Sequence, residues 1–401
     1  MNILQISPQI PVPPTDGGKL SIYGSTKYLS QRGHSVDFVV YRKDSDYKKS
    51  YDALKQFCNP VILDVQTNNS ILDAFTNLFS NVPYNISKFH KTELRKKVEE
   101  LLSKKKYDIV HIDNLHMAWI VDVIKQQTDI PVVLREQNLE MRIMKRFAEN
   151  QGNPILKKYA GMQYKKLLAY EPAMCEKFDR CIMITNEDSE ELLSYNKHIR
   201  TSVIPAGIDE RLLGIKKKNP DEKSIFHIGS YEWFPNVDGL NWFLKKIFQN
   251  VINKIPDLKF YIYGKGIENV SVPDSVKSHV FKIGYVENLW EDLSNKSLAI
   301  VPLRIGGGMR IKIIELLGAG HNILSTSIGS EGIKVKDNEE LLIADSEDDF
   351  CDKIIRFFNN EYDNERLSNN AREAIRKNYT WNSIAEKFEN VYLEIIGKYK
   401  N

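Results

Sequence analysis

The feature that most constrains the fold is a glycine loop between a predicted strand and a predicted helix. The apolar run 298–303 predicts a buried strand, three glycines follow at 306–308, and apolar residues then recur at helical spacing over 311–317. Free backbone N–H groups and the positive end of the helix dipole make such a helix start a site for anions. The segment does not fit the GxxxxGK[ST] nucleotide loop. It therefore predicts a parallel α/β unit that binds an anion in some other way.

Charged side chains beside this loop strengthen that prediction. Arg310 and Lys312 place two cations in the expected first turn, where the helix dipole disfavours positive charge unless an anion is near. Glu315 lies one turn further on, where a carboxylate can accept hydrogen bonds from sugar hydroxyls. Two solvated cations and a surface carboxylate are the alternative interpretation. We predict a phosphate and then a ribose at this helix end, with the N–H groups of Gly307 and Gly308 assisting.

Strand and helix patterns alternate along the whole chain in two series. The first series has predicted strands at 1–7, 36–41, 108–112, 131–134 and 179–185. The pattern restarts after the polar, proline-ended stretch 216–220, with predicted strands at 224–229, 259–263, 280–283, 298–302 and 322–325. Alternation of this kind indicates parallel sheets covered by helices. We predict domains at 1–200 and 221–378, a linker at 201–220, and a terminal helix within 379–401.

Composition indicates an ordinary globular protein. The 401 residues are 42% hydrophobic and 27% charged, and a net charge of +3 gives no indication of general nucleic-acid binding. The four cysteines show no paired spacing of metal ligands, which fits a reducing compartment. No signal-peptide pattern and no bilayer-spanning apolar run is visible. We expect a cytoplasmic protein, with contact at the inner face of the membrane left open.

Seven segments, in order, resemble the GT-B glycosyltransferases of retaining family 4, the glycosyl transferases group 1. The segments lie at 11–24, 32–40, 203–209, 225–243, 261–266, 281–293 and 326–333, beside the glycine loop already described. The resemblance implies an α/β fold of two Rossmann-like, doubly wound domains with a cleft between them. It also implies that the first domain presents the acceptor, the second binds a nucleotide sugar, and the last helix crosses back to the first domain.

The resemblance carries roles over to particular residues of the second domain. Glu315 matches the family's ribose-binding glutamate, whereas Gly307 stands where the family has a first glutamate. The family's usual cation pair near 230–236 is missing, so Arg310 and Lys312 are expected to bind the diphosphate in its place. The backbone N–H groups of Gly307 and Gly308 are expected to replace the donor-sugar contact that the first glutamate makes in the family.

Further positions match the family's donor-binding loops. Gly17 and Gly18 lie in its first glycine loop, while Gly284 and Val286 lie in a loop that holds the nucleotide base. Gln137 occupies the place of a histidine that faces the donor sugar. A glutamine can bond a sugar hydroxyl but cannot titrate near neutral pH. Ordinary turns are the alternative interpretation for the glycines.

We predict no metal and no cofactor; the donor would be a UDP- or GDP-sugar. Asp44 and Asp46 superficially match a metal-binding DxD motif, but they lie in a polar stretch among lysines, and we interpret the match as chance. His111 alternates with apolar residues and is interpreted as a core histidine. His116 is the better candidate for the cleft.

Two basic stretches leave the acceptor and its surroundings open. Residues 88–106 carry eight Lys or Arg against three Glu, and residues 142–166 carry further cations. Solvated helix faces are one interpretation; a surface for an anionic membrane or a lipid-linked acceptor is the other.

The function predicted from all these features is a retaining hexosyltransferase-like enzyme of cell-surface polysaccharide or glycoconjugate synthesis, acting on a glycan, lipid-linked or other acceptor. A sugar-nucleotide epimerase and a non-catalytic sugar-nucleotide-binding protein are the alternatives.

Overall fold

The structure of the protein is a computed structural model, and it describes residues 1–14, 16–42, 47–218, 223–305 and 308–400. The chain divides into two compact units. Unit 1 comprises Met1–Ala206 together with Ile384–Asn401, and unit 2 comprises Gly207–Ser383. The segment predicted as a linker is thereby shared between the units.

The strands of the described residues form one sheet in each unit, and every pairing between them is parallel. In unit 1 the strands are β1 Asn2–Ser7, β2 Ser35–Arg42, β3 Asn59–Asp64, β4 Ile109–Asp113, β5 Val132–Arg135, β6 Arg180–Met183 and β7 Thr201–Val203. In unit 2 they are β8 Ser224–Ile228, β9 Lys259–Tyr263, β10 Val280–Gly284, β11 Leu298–Val301, β12 Asn322–Ser325 and β13 Leu342–Ile343. Within the described ranges, the orders are β3-β2-β1-β4-β5-β6-β7 and β10-β9-β8-β11-β12-β13.

Helices connect the strands, as parallel pairing requires. Those of unit 1 are α1 Gly17–Gln31, α2 Lys48–Lys55, α3 Ile71–Thr76, α4 Tyr84–Ser87, α5 Thr92–Lys104, α6 Val121–Lys125, α7 Glu140–Asn150, α8 Pro154–Cys175 and α9 Asn186–Tyr195. Those of unit 2 are α10 Phe234–Trp242, α11 Phe248–Lys254, α12 Leu289–Leu293, α13 Ile311–Gly318, α14 Ser327–Ser330, α15 Glu347–Phe358 and α16 Asn364–Tyr379. The terminal helix α17 spans Trp381–Lys400. A 3₁₀ turn, Asn77–Phe79, continues α3.

Each sheet is covered on both faces, as a parallel sheet normally is. In unit 2, neighbouring residues along a strand enter different apolar clusters: Ile225 joins one and Phe226 the other, and Leu324 and Ile323 divide in the same way. Successive side chains of a strand point to opposite faces, so the two clusters are the two covered faces of the sheet. The prediction of two Rossmann-like α/β domains is therefore confirmed.

Several local predictions are wrong for identifiable reasons. Leu94, Val98, Leu101 and Leu102 recur at helical spacing and predict a helix over 88–103; the helix begins at Thr92, because Lys91 has an extended backbone. Asn186, after the strand predicted at 179–185, is expected to cap the next helix; Thr185 caps α9 instead, since its hydroxyl accepts a hydrogen bond from the N–H of Asp188. The short strands β3, β7 and β13 were not predicted. Their positions depend on pairing with neighbours distant in sequence rather than on a local pattern.

Candidate active site

The candidate site in unit 2 is centred on the start of α13, which follows β11. The helix begins at Ile311. Arg310, which the sequence places in the expected first turn, instead precedes the helix and has an extended backbone. Gly308 has φ +75°, a conformation that favours glycine. Gly306 and Gly307 lie outside the described residues. Arg310 is thus a flanking residue, and of the two cations only Lys312 belongs to the first turn.

Lys312 is held by three groups around the carboxyl end of β8. Its Nζ donates to the carbonyl of Ile228 at 3.0 Å, to Oδ1 of Asn236 at 3.0 Å and to Nε2 of His227 at 3.1 Å. Burial, with a smaller contribution from Arg310, lowers the pKa of Lys312 to about 7. An anion beside this amine would favour its charged form.

His227 can accept from Lys312 because it is kept neutral. Burial, and then the charge of Lys312, holds the pKa of His227 well below its usual value. Its Nδ1 lies 2.8 Å from the hydroxyl of Tyr231, and that hydroxyl donates to the carbonyl of Tyr263 at 3.1 Å. The consistent assignment is therefore Nδ1–H to Tyr231, with Nε2 as the acceptor. His227 therefore positions Lys312.

Arg310 brings the second cation to the same segment. Its guanidinium lies 5.6 Å from the ring centroid of Trp233, and one of its nitrogens donates to the carbonyl of Gly308 at 2.6 Å. The side chain is 8% exposed. Residues 230–236 contain no cation in sequence. Both cations come instead from α13 and from the residue directly before it.

Glu315 contributes a carboxylate one turn further along α13. It accepts no hydrogen bond from the described residues, and burial raises its pKa to about 7. Buried polar groups are almost always hydrogen-bonded. A half-buried carboxylate without a donor can therefore take hydroxyl donors from a ligand.

These groups lie where ligands bind in doubly wound sheets. The strand order of unit 2 reverses between β8 and β11, which are neighbours. In open α/β sheets the crevice beyond the carboxyl ends of the strands at such a reversal is the general ligand position. Lys312 meets the end of β8, while α13 follows β11.

Two glycines and an asparagine shape this end of the sheet. A Cβ on Gly264 would lie 1.7 Å from the carbonyl oxygen of Gly229, and a Cβ on Gly229 would lie 2.7 Å from Nδ2 of Asn236. The backbones of the two loops therefore approach each other in a way that only glycine permits. The nearby glycines in the sequence were the available signal; nothing local indicated that Asn236 would bind Lys312.

Gly284 and Val286 lie at and just after the carboxyl end of β10, which pairs with β9. Gly284 ends β10, and its carbonyl accepts from the N–H of Gly264 at 2.8 Å. Val286 is partly buried against the core. Through Gly264 this loop is joined to the loops that surround Lys312.

Gly17 and Gly18 begin α1 in unit 1, directly after the capping residue Asp16. The carboxylate of Asp16 accepts from the N–H of Lys19 at 2.9 Å. A Cβ on Gly18 would make only ordinary contacts, the nearest at 3.4 Å. A carboxylate already occupies this helix start, so the site suits a hydroxylated group better than a phosphate.

Gln137 follows β5 in unit 1. Its Nε2 atom is buried and has no hydrogen-bond partner among the described residues. Leaving a buried donor unbonded costs about 1–3 kcal/mol. An orphaned amide of this kind is an indication of a ligand contact.

Arg135 and Glu136, the two polar residues directly before Gln137, are structural. Arg135 is 1% exposed and donates to the carbonyls of Met183, Ile204 and Pro205. Glu136 is also buried, and burial raises its pKa well above its usual value.

Two histidines of unit 1 are likewise held by the protein. His111 binds the hydroxyl of Tyr392, and its other nitrogen lies 3.0 Å from Asp113, so its interpretation as a core histidine is confirmed. His116 lies 3.9 Å from a carboxylate oxygen of Glu140 and packs on Phe89.

Two family models match most of the chain. The model described as "Glycosyltransferase Family 4" matches residues 15–212, and the model described as "Glycosyl transferases group 1" matches residues 222–360. The chain is a GT-B glycosyltransferase of group 1.

Curated relatives match most of the enzyme at low identity. A Klebsiella pneumoniae protein named "Uncharacterized 44.6 kDa protein in cps region" is 26% identical over 94% of this chain and 96% of its own. An Escherichia coli UDP-Gal:alpha-D-GlcNAc-diphosphoundecaprenol alpha-1,3-galactosyltransferase is 23% identical over 74% of this chain and 78% of its own.

Solved structures share the fold of this glycosyltransferase. Sucrose-phosphate synthase of Thermosynechococcus elongatus superposes with a TM-score of 0.69 at 15% identity, covering 99% of this chain and 100% of that one. Anabaena HepE in complex with UDP has a TM-score of 0.65 at 11% identity, covering 98% and 100%. At these identities the likeness is one of fold alone.

The described part of this glycosyltransferase lacks two kinds of feature. No group of three or more His, Cys, Asp or Glu there is arranged to hold a metal ion. No helix there has both the length and the apolar character needed to cross a bilayer.

Proposed function

We propose that this glycosyltransferase takes its sugar from a nucleoside-diphosphate sugar, a UDP- or GDP-sugar, and transfers it with retention of configuration to a glycan or lipid-linked acceptor. The observation that carries the proposal is the meeting of Arg310 and Lys312 at the strand-order reversal of unit 2, with Glu315 one turn further along α13.

The two cations would bind the diphosphate. Negative charge develops on it as the bond to the sugar breaks, and fixed cations at that position stabilise the transition state. Arg310 supplies a permanent charge. Lys312, whose pKa is about 7, supplies a charge that the bound anion itself would favour. Gly307 and Gly308 would add backbone N–H groups.

The remaining candidates would contact the uncharged parts of the substrates. The Glu315 carboxylate would accept from the ribose hydroxyls, since no described donor occupies it. Gly284 and Val286 would flank the base. In unit 1, Gly17, Gly18 and the orphaned amide of Gln137 would contact sugar hydroxyls.

The comparisons support the substrate classes. HepE was crystallised with UDP, and the Escherichia coli relative is named for UDP-Gal and for a lipid diphosphate acceptor. The Klebsiella relative is named for the cps region. We place this enzyme in cell-surface polysaccharide or glycoconjugate synthesis, in the cytoplasm at the inner face of the membrane.

The test begins with a thermal-shift screen of UDP- and GDP-sugars, followed by assays of nucleotide release with and without alkyl-linked saccharide acceptors. We expect stabilisation by one donor family and acceptor-dependent release of nucleoside diphosphate. The anomeric configuration of the product, read by NMR, tests retention. A sugar nucleotide that is bound and isomerised without transfer would contradict the proposal.

We also propose that the reaction needs no metal, because cations of the protein take that role. Turnover in excess EDTA should equal turnover without it. Loss of activity that magnesium or manganese restores would reopen Asp44 and Asp46, which lie outside the described residues.

A further inference from the structure

The helical segment 71–79 of unit 1, formed by α3 and the 3₁₀ turn after it, has its apolar face turned to solvent. Four large apolar side chains on it are exposed: Ile71 (92%), Leu72 (72%), Phe75 (62%) and Phe79 (86%). A surface helix normally turns its apolar side chains inward. Exposed apolar clusters of this kind mark binding surfaces.

The opposite face of the same segment lines a polar pocket. The pocket has a volume of about 590 Å³, and Asp73, Thr76 and Asn77 of the segment border it, together with Ser80 directly after the segment. Those residues recur at helical spacing, three or four apart. The size is that of ordinary small-molecule sites, roughly 300–1,000 Å³. One helical segment therefore separates a polar pocket from an exposed apolar face.

The segment is firmly attached, so its apolar exposure is a property of the folded unit. Asn77 accepts through Oδ1 from Gln163 at 3.2 Å, and its carbonyl accepts from Lys166 at 2.6 Å, both from α8. Ser70, which caps α3, donates its N–H to the hydroxyl of Tyr84 at 2.7 Å.

The charges of the pocket favour a hydroxylated, phosphate-bearing group. Lys88 and Lys91 line it together with a single carboxylate, that of Asp73. The Lys91 ammonium makes no hydrogen bond or ion pair within the described ranges. The other lining groups are mainly amides and hydroxyls, which match sugar hydroxyls.

The cations of the basic stretch 88–106 include some that form ion pairs on the surface of α5 and others that line the pocket. Arg95, Lys97 and Lys104 form ion pairs with Glu99 or Glu100 on the surface of α5, which is the solvated-face interpretation. Lys88 and Lys91, in the same stretch, line the pocket instead.

We propose that this pocket and the apolar face of 71–79 form the acceptor site for a glycolipid: its sugar or sugar-phosphate head lies in the pocket and its apolar chain lies along Leu72 and Phe75. The inference rests on the proposed function and names its acceptor class. An amphiphile fits both faces of the segment at once, whereas a free glycan would leave the apolar face in water.

The first test uses two probes with one head, n-dodecyl maltoside below its micelle-forming concentration and maltose, with affinities measured on the full-length protein. We expect the dodecyl probe to bind at least about tenfold more tightly. The double variant Leu72→Ser/Phe75→Ser should lose that preference. Leu393→Ser is the matched control, because Leu393 is 53% exposed on α17 of the same unit. Equal binding of both probes, or equal loss of the preference in the control, would overturn the proposal.

The second test addresses the pocket. Asp73→Ala should weaken both maltose probes by the same factor, and Lys91→Ala should weaken dodecyl phosphate while leaving dodecyl maltoside unchanged. Because these side chains border a pocket rather than the core, melting temperature should not change. If both variants bind vesicles of dioleoylphosphatidylglycerol and all probes as the wild type does, the face docks a membrane and the pocket is no acceptor site.

Failure of this inference can be told apart from failure of the proposed function. If the function is right, Leu72→Ser/Phe75→Ser should raise KM for an alkyl-linked acceptor while kcat and donor affinity stay unchanged. Transfer that is indifferent to the alkyl chain would refute the acceptor site alone. A wild type that binds no sugar nucleotide would refute the function, while the binding of the dodecyl probe would still be measurable.

Discussion

The strand order reverses once in each unit. At the reversal in unit 1 the buried polar groups bond one another, whereas at the reversal in unit 2 the buried charged groups are only partly compensated. In unit 1, between β1 and β4, Asp113 accepts from Gln5 at 2.8 Å and lies 3.0 Å from His111, which also binds Tyr392 of α17. The polar groups at that position satisfy one another. They fix the terminal helix to the sheet and leave little for a ligand.

In unit 2, between β8 and β11, the charged groups are buried without full compensation. Lys312 has neutral acceptors rather than a carboxylate, and Glu315 has no donor among the described residues, so both pKa values move to about 7. A perturbed pKa in a ligand-binding position is an indication of function. A structural site and a binding site can therefore contain the same kinds of charged and polar groups. They differ in how completely hydrogen bonds and opposite charges within the protein compensate those groups.

The largest effect should come from unit 1, where a fully buried side chain that bonds three carbonyls is removed. Arg135→Met leaves three carbonyls without their donor, and we expect the free energy of unfolding to fall by about 3 kcal/mol. Denaturant unfolding measures it. Arg356→Met, which breaks exposed ion pairs of α15, should cost less than about 1 kcal/mol. Equal stabilities of wild type and Arg135→Met would remove the structural side of the comparison.

In unit 2, removing a cation should affect binding more than stability. Arg310→Ala and Lys312→Met should each weaken nucleoside-diphosphate binding at least about tenfold, or about 1.4 kcal/mol. The exposed variant Lys277→Ala should bind as the wild type does. Isothermal titration gives the affinities, and unchanged values in both site variants would show that the diphosphate binds elsewhere.

The same titrations should depend on pH through Lys312. Its pKa in the free protein is about 7, so above that pH binding must first protonate the amine, and wild-type affinity should fall as pH rises. Lys312→Met should lose this dependence. Arg310→Ala should shift it to higher pH, because Arg310 lowers the pKa of Lys312.

Gln137 tests whether an orphaned group of unit 1 belongs with the binding residues. Gln137→Ala should lower turnover roughly tenfold through lost positioning of a sugar hydroxyl. The stability of the fold should be unchanged, because the amide nitrogen bonds no described residue. Gln126→Ala, an exposed change, is the control. Wild-type turnover in Gln137→Ala would place the side chain away from the substrate.

Glu315 should show the smallest of these effects. Glu315→Gln keeps the size and removes the charge, so the loss should be about 1 kcal/mol, or roughly fivefold. It should appear equally for free nucleoside diphosphate and for its sugar ester, since both carry the ribose. A loss confined to the sugar ester would move Glu315 to the sugar.

The sequence by itself determined the features that depend on neighbours along the chain. Alternating apolar runs and helical periodicity predicted two parallel α/β units, because each strand and helix shows its own pattern. The order of strand, glycine loop, Arg310, Lys312 and Glu315 predicted the candidate site in unit 2.

Only the tertiary structure decided which of the polar residues are already satisfied. Arg135 binds carbonyls 48 to 70 residues away, and Lys312 is held by His227 and Asn236, 85 and 76 residues before it. No local pattern distinguishes Arg135 from Arg310, because desolvation and hydrogen bonding are set by segments that meet only in the folded chain. The same holds for the segment 71–79, whose apolar residues look like core in the sequence and lie at the surface in the fold.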